Sequence, residues 1–306
     1  MAIKQSILIL LITTCILHIE TTSCAQQKGQ YTQYQFDGIL LNPAYAGLNE
    51  ALTLAMISRY QWSGVQGAPN TQTFYAHTPF RSKQIGLGFA LSNDKIGIHS
   101  NLGLSTSYAY HLNLGKDHLL SFGLQVGLYN RKTDYSTLLE DAGNDPSLYN
   151  ASISHTFFDF GAGLYYRHKK LEVGFSIPEL LPEKLNLNDS LTVIMNQINN
   201  FLLIKYAVPL SASVELQPGI LFKYLKGVPL SYDINVNMLY RGVLSAGLSY
   251  RKAESLDFLL MLKVLPQLRI GYSYDHYIGR ANATGSHEVA VQYIFKFTKT
   301  NIDSPR

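Results

Sequence analysis

The hexapeptide Asn42-Pro43-Ala44-Tyr45-Ala46-Gly47 stands just ahead of a long series of similar segments. Proline has no N–H and a fixed φ, so Pro43 suits a position before a strand better than one inside it. Glycine allows a sharp backbone bend, so Gly47 can turn the chain into the first strand. The hexapeptide therefore predicts the entry into a β-sheet that occupies most of the chain.

Downstream of the hexapeptide, apolar side chains alternate with small or polar ones over segments of about 9–13 residues, the length of a tilted membrane strand. Period-two alternation is typical of a strand with one apolar face. We count about fourteen segments, an even number, as in bacterial outer-membrane barrels. The sequence therefore predicts an all-β fold, a single transmembrane antiparallel β-barrel over residues 51–297. The segments centre near residues 55, 74, 88, 106, 124, 162, 174, 204, 219, 234, 246, 260, 271 and 292, and prolines at 209 and 218 interrupt those near 204 and 219.

A soluble β-sandwich is the alternative fold. Its inward face would be aliphatic, whereas the faces opposite the apolar ones here carry Gly, Ser, Asn, Gln and Asp, which suits a wet barrel interior. Charged residues make up 15% of the 306 residues, below the roughly 25% of soluble domains. Aromatic residues near strand ends, including Tyr108, Tyr129, Tyr165 and Tyr272, are expected to form girdles at the membrane surfaces.

Residues 1–25 have the features of a secretory signal peptide. Lys4 precedes an apolar run over residues 7–17, and the small Ser23 and Ala25 precede a cleavage site. A lipoprotein acylated on Cys24 is the alternative. Both cysteines lie in this segment, so cleavage would leave a mature chain without thiol chemistry or disulfides. We expect 26–50 to be an N-terminal periplasmic segment, although 26–38 could enter the lumen, and 298–306 to be a C-terminal tail.

The connections between segments support a barrel, in which long loops lie at one end and short turns at the other. The expected long loops are 59–70, 92–100, 131–156, 178–200 and 275–286. Within 178–200, Asp189 or Ser190 could cap a short helix that reaches Phe201.

Charged residues of both signs would face the lumen if the alternation holds. Because the signs are balanced, we expect them to pair inside the barrel, the alternative being that they line a conduit. These residues are Asp159, Arg167, Glu172, Lys205, Glu215, Lys223, Asp233, Asp257, Lys263, Arg269 and Asp275.

Signatures of catalysis or metal binding are weak. The nine histidines form no H-E-x-x-H motif, and the adjacent His287 and Glu288 would point to opposite faces of a strand. No serine lies in a G-x-S-x-G motif, and no outward-facing Ser–His pair is apparent. The net charge of +4 comes without a long basic run, so nucleic acid is not an expected partner. The sequence therefore predicts no enzyme, no catalytic residue, no cofactor and no metal.

The sequence resembles the PorP/SprF family of type IX secretion outer-membrane proteins of Bacteroidetes. The resemblance covers about residues 30–297; its specific part is N-terminal, and segments at 86–88, 158–163, 271–275 and 285–288 extend it. The family-motif residues, which the resemblance implies are structural, are Asn42, Pro43, Tyr45, Gly47, Trp62, Pro69, His77 and Pro79.

The resemblance implies a non-enzymatic outer-membrane protein that assists export or surface attachment. Its expected partners are a large secreted adhesin with a type B C-terminal sorting domain, periplasmic type IX secretion components and outer-membrane lipid, with a link to gliding motility. The alternative function is an outer-membrane channel or carrier for small hydrophobic solutes. A structural barrel without a transport role is a third hypothesis.

Overall fold

The computed structural model of the chain describes residues 30–80, 84–135, 152–181, 184–188, 191–194, 198–279 and 284–295. The predicted signal peptide and C-terminal tail lie outside these residues. Among the described residues, no helix is long and apolar enough to cross a membrane.

Seventeen strands are present in the described residues, fourteen of which form the barrel wall. The bounds are β1 Leu52–Tyr60, β2 Asn70–Phe80, β3 Ile85–Ile96, β4 His99–Gly115, β5 His118–Asp134, β6 Ser152–His168, β7 Leu171–Ile177, β8 Lys184–Asn188, β9 Leu191–Ile194, β10 Asn199–Tyr206, β11 Val208–Pro209, β12 Val214–Leu225, β13 Ser231–Tyr240, β14 Leu244–Arg251, β15 Ser255–Lys263, β16 Leu268–Tyr277 and β17 Ser286–Phe295.

The wall is a closed antiparallel ring. Neighbouring wall strands pair in chain order, β7 pairs with β10 and β10 with β12, and β1 pairs with β17 to complete the circle. Strands β8 and β9 form a separate hairpin, and the two-residue β11 lies beside β12. Each of the fourteen predicted centres falls in one wall strand, which confirms the predicted barrel.

Pro218 lies inside β12 without breaking the wall. Its partner on β13 is Val236. On the opposite side, pairing with β10 begins at Gly219 and pairing with β11 ends at Leu216. Proline, which has no N–H, therefore lies where the neighbouring ladder is interrupted.

The outer face of the wall is apolar. Leu102, Leu124 and Phe158, for example, are 50%, 64% and 63% exposed, as expected for side chains that face lipid. Tyr108 and Tyr272 also point outward, but the predicted girdle is wrong for Tyr129 and Tyr165. Both are buried on the inward face, because each is an odd-numbered residue on a strand whose even-numbered residues face outward.

The connections partly match the predicted ones. The end of the ring with the start of β1 and the end of β17, here called the turn end, has short turns at 116–117, 169–170 and 241–243. The opposite end, the loop end, has the connections 61–69, 135–151, 178–198 and 278–285.

Three loop predictions are wrong. Residues 92–100 form a tight β3–β4 turn at Gly97 and Ile98, because strand pairing continues to both sides of it. Strands β5 and β6 extend well into the predicted loop 131–156. The described residues of the predicted helix form strands instead, since residues 191–194 pair with β8 and β10 begins at Asn199.

The N-terminal segment lies within the ring, and we call residues 30–49 the plug. Three short 3₁₀ helices, Gln33–Gln35, Gly38–Leu40 and Pro43–Tyr45, shape it. The predicted periplasmic position is therefore wrong for these residues, because they bond to inward-facing groups around the ring, and the alternative that the segment enters the lumen holds for residues 30–38. Residues 26–29 lie outside the described chain.

Candidate functional site

Asn42 and Pro43 begin the 3₁₀ helix nearest the turn end. Asn42 Oδ1 accepts the N–H of Ala44 at 2.9 Å, and Pro43 occupies the first helical position, where a missing N–H costs nothing. The amide of Asn42 also donates to the carbonyls of Leu164 at 2.8 Å and Phe175 at 3.2 Å. One side chain thus caps the plug helix and ties it to β6 and β7.

Glycines on the inner wall leave room for the plug backbone. A Cβ at Gly86 would overlap the carbonyl oxygen of Ala46, and one at Gly123 would overlap the backbone of Ala44. A Cβ at Gly163 would overlap Oδ1 of Asn42. These three glycines, from β3, β5 and β6, form what we call the glycine cradle, and the plug lies directly against it.

His77 on β2 connects two parts of the plug. Its Nδ1 accepts the N–H of Gly47 at 3.1 Å, which leaves Nε2 to donate to Oδ2 of Asp37 at 3.2 Å. Gln292 on β17 donates to the same oxygen at 2.8 Å, and Oδ1 of Asp37 accepts the N–H of Ile39. The Asp37 carboxylate is almost fully buried, and these three hydrogen bonds replace the water that it loses inside the barrel.

Tyr45 and Ala46 make further contacts at the turn end. The Tyr45 ring meets Tyr165 edge to face with centroids 5.3 Å apart, and its hydroxyl donates to Asn49 at 3.2 Å. Burial raises the pKa of the Tyr45 phenol, so it remains a neutral donor. His111 Nε2 donates to the carbonyl of Ala46 at 3.0 Å, while its Nδ1 accepts from Ser121 at 2.7 Å.

The start of the plug meets buried charges near the loop end. Arg59 on β1 pairs with Asp275 at 2.7 Å and Glu288 at 3.0 Å, and all three are at most 3% exposed. Glu288 also accepts the backbone N–H groups of Thr32 at 3.0 Å and Gln33 at 2.7 Å. The same carboxylate thus binds the wall and the plug.

A second arginine extends this charge cluster. Arg251 on β14 lies 3.1 Å from Glu254, 3.5 Å from Asp233 and 3.6 Å from Asp257. Lys223 pairs with Asp233 at 2.8 Å, and Tyr34 of the plug donates to that residue at 3.4 Å. We call Arg59, Lys223, Asp233, Arg251, Asp257, Asp275 and Glu288 the charge cluster.

The plug also bonds to the wall between its two ends. Lys205 on β10 donates to the carbonyl of Gln35 at 2.6 Å, and Asn237 on β13 donates to the Gln35 side chain at 2.7 Å. Ser176 on β7 donates to the carbonyl of Leu41 at 2.6 Å. Together with the contacts above, these bonds join the plug to strands all around the ring.

The structure brings six of the eight family-motif residues together. The residues Asn42, Pro43, Tyr45, Gly47 and His77 lie at the turn end of the plug. Pro79 lies against Gly47, since a Cβ added to Gly47 would be 3.2 Å from the Cα of Pro79.

Trp62 and Pro69 lie apart, in the loop-end connection 61–69. There the N–H of Trp62 donates to Ser286 at 3.2 Å and Pro69 accepts the N–H of Gln61 at 2.9 Å. These two residues belong to a different part of the molecule.

The predicted pairing of inward charges is confirmed for several residues. Arg167 pairs with Glu172 at 2.9 Å, and Lys223, Asp233, Asp257 and Asp275 belong to the charge cluster. Arg59, Arg251 and Glu288 are not among the predicted inward charges, because each lies beyond the end of its predicted alternating segment. Extending the alternation by one or two steps in β1, β14 and β17 would have found them.

Two other features of the described residues bear on chemistry. No group of three or more His, Cys, Asp or Glu side chains is arranged to hold a metal ion within the described ranges. His287 and Glu288 point to opposite faces as predicted, since Glu288 is in the charge cluster while His287 accepts a hydrogen bond from the outward-facing Tyr272 at 2.7 Å.

The closed fourteen-strand wall with an apolar outer face defines an outer-membrane β-barrel. A family model of the type IX secretion system membrane protein PorP/SprF matches residues 23–293. The chain therefore belongs to the PorP/SprF family and is located in the outer membrane. None of the curated proteins compared with the chain matches it.

Several solved structures are similar to the chain. The CymD monoaromatic hydrocarbon channel is similar with a TM-score of 0.52 and 11% identity, covering 90% of this chain and 95% of that one. Omp33 of Acinetobacter baumannii has a TM-score of 0.48 and 9% identity, covering 80% and 98%. A Pseudomonas aeruginosa FadL homologue has a TM-score of 0.48 and 12% identity, and the match covers 83% of this chain and 93% of that one. At these identities the likeness concerns the fold alone.

Proposed function

We propose that this protein is a non-enzymatic binding and anchoring barrel of the type IX secretion system. In this role it assists export or surface attachment of a large secreted adhesin with a type B C-terminal sorting domain, in a Bacteroidetes cell. Periplasmic secretion components would bind its turn end, and a link to gliding motility would follow if the adhesin serves movement. The observation that carries this proposal is the plug inside the barrel.

A conduit needs a free path along its axis, and the plug occupies part of the interior through which such a path would run. It is held by the Asn42 amide, the Asp37–His77 bond and the Glu288 carboxylate, all within the ring. Several buried polar bonds would have to break together before the plug could leave, and each unmet buried group costs about 1–3 kcal/mol. We infer that binding takes place at the ends of the barrel, with cargo at the loop end, since outer-membrane barrels carry their long loops outside.

The proposal is tested by affinity capture. Tagged mature protein would be purified from detergent-solubilised outer membranes and its partners identified by mass spectrometry, with an unrelated tagged barrel from the same cells as the control. We expect a very large secreted protein with a type B sorting domain, or periplasmic secretion lipoproteins, in the sample but not in the control. Equal recovery in both samples would contradict the proposal.

A second function, as a channel or carrier for small hydrophobic solutes, is favoured by a specific feature. The plug is a separate segment, and the wall around it carries small residues such as Gly86, Gly123 and Gly163. Displacement of the plug would therefore leave a space. Planar-bilayer conductance separates the functions: steady conductance of the intact protein would support the channel, whereas an anchoring barrel should conduct only when its plug is displaced.

A further inference from the structure

Strand β6 extends far beyond its neighbour β7 at the loop end. Strands β4, β5 and β6 have 17 residues each, whereas β7 has 7. Pairing between β6 and β7 covers only residues 162–168 of β6, while β5 pairs with β6 as far as Ser152. Residues 152–158 of β6 are thus bonded on one side by β5 and have no strand partner on the other among the described residues.

The side chain of Asp159 explains why the pairing between β6 and β7 ends. Its Oδ1 accepts the N–H groups of Leu180 at 3.1 Å and Leu181 at 3.0 Å. Asp159 points into the barrel, so these bonds draw the chain after β7 across the inner face of β6. Pro178 has no N–H to continue a ladder, and a Cβ at Gly161 would lie 2.5 Å from the Pro178 carbonyl oxygen, so glycine admits this path.

The backbone groups on the open side can be assigned from this contact. The carbonyl of Phe160 accepts the N–H of Leu180 at 2.7 Å, so the backbone of Phe160 points away from β5. Backbone direction alternates along a strand, so the N–H and C=O groups of Phe158, Thr156 and Ser154 point the same way. Within the described part of the chain, no backbone hydrogen bond reaches these groups on the open side.

The part of this open edge at Ser154 and Thr156 lies outside the lipid band. Along the outer face of β6, the exposed Phe160 and Phe158 are followed by Thr156 and Ser154, and on β5 Asn130 follows Leu128 at the same level. The change from apolar to polar side chains marks the end of the membrane-facing wall. An unpaired edge would be costly in lipid, but in water it can bind another extended chain.

We propose that a strand of the exported protein adds to this edge, forming main-chain hydrogen bonds with Ser154 and Thr156. This inference rests on the proposed function and specifies how the cargo is held. The partner is an extended segment about five to seven residues long, since residues 152–158 span roughly 20 Å at about 3.3 Å per residue. Main-chain bonding of this kind does not require particular side chains in the added segment.

A second copy of this chain fits the edge poorly. Two copies in one membrane, related by a twofold axis along the membrane normal, would place their β6 strands parallel and at equal height. The even residues of both strands would then point at each other. In a parallel ladder a residue that points toward its neighbour faces one that points away, so the symmetric pair cannot form its hydrogen bonds.

The test uses proline at the centre of the edge. Thr156→Pro removes an N–H that points away from β5, so β5–β6 pairing should survive while the added strand loses a bond and meets the proline ring. The matched control is Lys226→Pro, also at the loop end. Lys226 is the second residue of a turn closed by the Val228 N–H to Leu225, and φ of Gly227 is +81°, so proline is compatible there.

The measurement is binding of the purified type B C-terminal domain, from the adhesin captured by the wild-type barrel, to each full-length barrel in detergent. Heat-modifiable gel migration would verify folding. We expect Thr156→Pro to weaken binding about tenfold or more and Lys226→Pro to bind as the wild type does.

Equal binding by Thr156→Pro and the wild type would overturn the edge proposal while leaving the anchoring function in place. Failure of the wild type to capture any secreted protein would overturn the edge proposal, and failure to capture periplasmic secretion lipoproteins as well would overturn both. A disulfide between Thr156→Cys and a cysteine placed in residues 182–198 would show that the chain covers its own edge, which would also overturn the proposal.

Discussion

The two ends of the plug are held in the barrel by different physical means. At the turn end, the backbone of residues 42–47 lies against the glycine cradle, and side chains such as Asn42 and His77 complete its hydrogen bonds. Near the loop end, Thr32 and Gln33 are bound by a carboxylate that also pairs with Arg59. Close steric fit holds one end, and hydrogen bonds to an ion-paired carboxylate of the wall hold the other.

The difference indicates how each end could respond to change. A steric fit fails abruptly when a methyl group is added, because the interior has no spare volume. A buried ion pair instead fails when one partner is removed, because the other charge is left in a poorly solvated site. The loop end is therefore more sensitive to the removal of a charged side chain. The turn end is more sensitive to the addition of a side chain on a glycine.

The largest effect is expected from Arg59→Met. This change leaves Asp275 and Glu288 without the guanidinium that pairs with both, and breaking a buried pair in this way costs about 3–5 kcal/mol. The free energy of unfolding, measured by denaturant titration in detergent micelles, should fall by that amount.

The control for Arg59→Met is Lys132→Met. Lys132 pairs with Asp134 at 3.4 Å where the two side chains are 48% and 35% exposed, so the cost should be about 0–1 kcal/mol. Equal losses for the two variants would contradict the role assigned to the charge cluster.

A smaller effect is expected from Gly123→Ala. The added methyl group would overlap the backbone of Ala44, and overpacking of this kind costs about 1–3 kcal/mol. We expect residues 42–47 to leave the cradle, which would appear as faster amide exchange by mass spectrometry and as conductance in planar bilayers.

Gly127→Ala on the same strand is the matched control for Gly123→Ala. Its methyl group meets the ring of Tyr129 at 2.5 Å, not the plug, and that ring can shift. If both variants gave the same exchange in residues 42–47, the glycine cradle would not be what holds the turn end.

Asn42→Ala should have a more modest effect. It removes the cap of the Pro43–Tyr45 helix and the donor to Leu164 and Phe175, a loss of about 1–2 kcal/mol. The same titration measures it. Asn200 also donates to two carbonyls, of Ile198 and Tyr224, but in a solvent-exposed position, so Asn200→Ala should change stability by less than about 0.5 kcal/mol. A larger loss for Asn200→Ala than for Asn42→Ala would contradict this assignment.

The wall of the barrel could be predicted from the sequence because alternation is a local signal. Each strand has an apolar outer face whatever its partner, so Leu124 or Leu102 indicates its orientation without knowledge of the fold. Strand ends were less predictable. Beyond the lipid band the outer face becomes polar, as at Thr156 and Ser154, and the alternation fades while the backbone pairing continues.

The plug could not be derived in the same way. Residues 30–49 have no strand periodicity, and their position depends on contacts with residues far away in the chain, such as Gly123 and Glu288. The hexapeptide at 42–47 did mark the turn end, but Pro43 and Gly47 were interpreted as signals for entering a strand. The structure shows that Pro43 begins a 3₁₀ helix and that Gly47, with φ of +80°, lies close to Gly86 and Pro79.

The smallest effect is expected from Trp62→Ala, which tests whether all eight family-motif residues act together. Trp62 lies at the loop end, is 37% exposed and has φ of +46°, and its backbone N–H donates to Ser286 and not to the plug. Removal of the indole should change the free energy of unfolding by less than about 0.5 kcal/mol. Amide exchange in residues 30–49 should match the wild type, because the groups that hold the plug are all retained. Faster exchange there would mean that the connection 61–69 and the plug form one unit, and the separation into a steric end and an ionic end would then be incomplete.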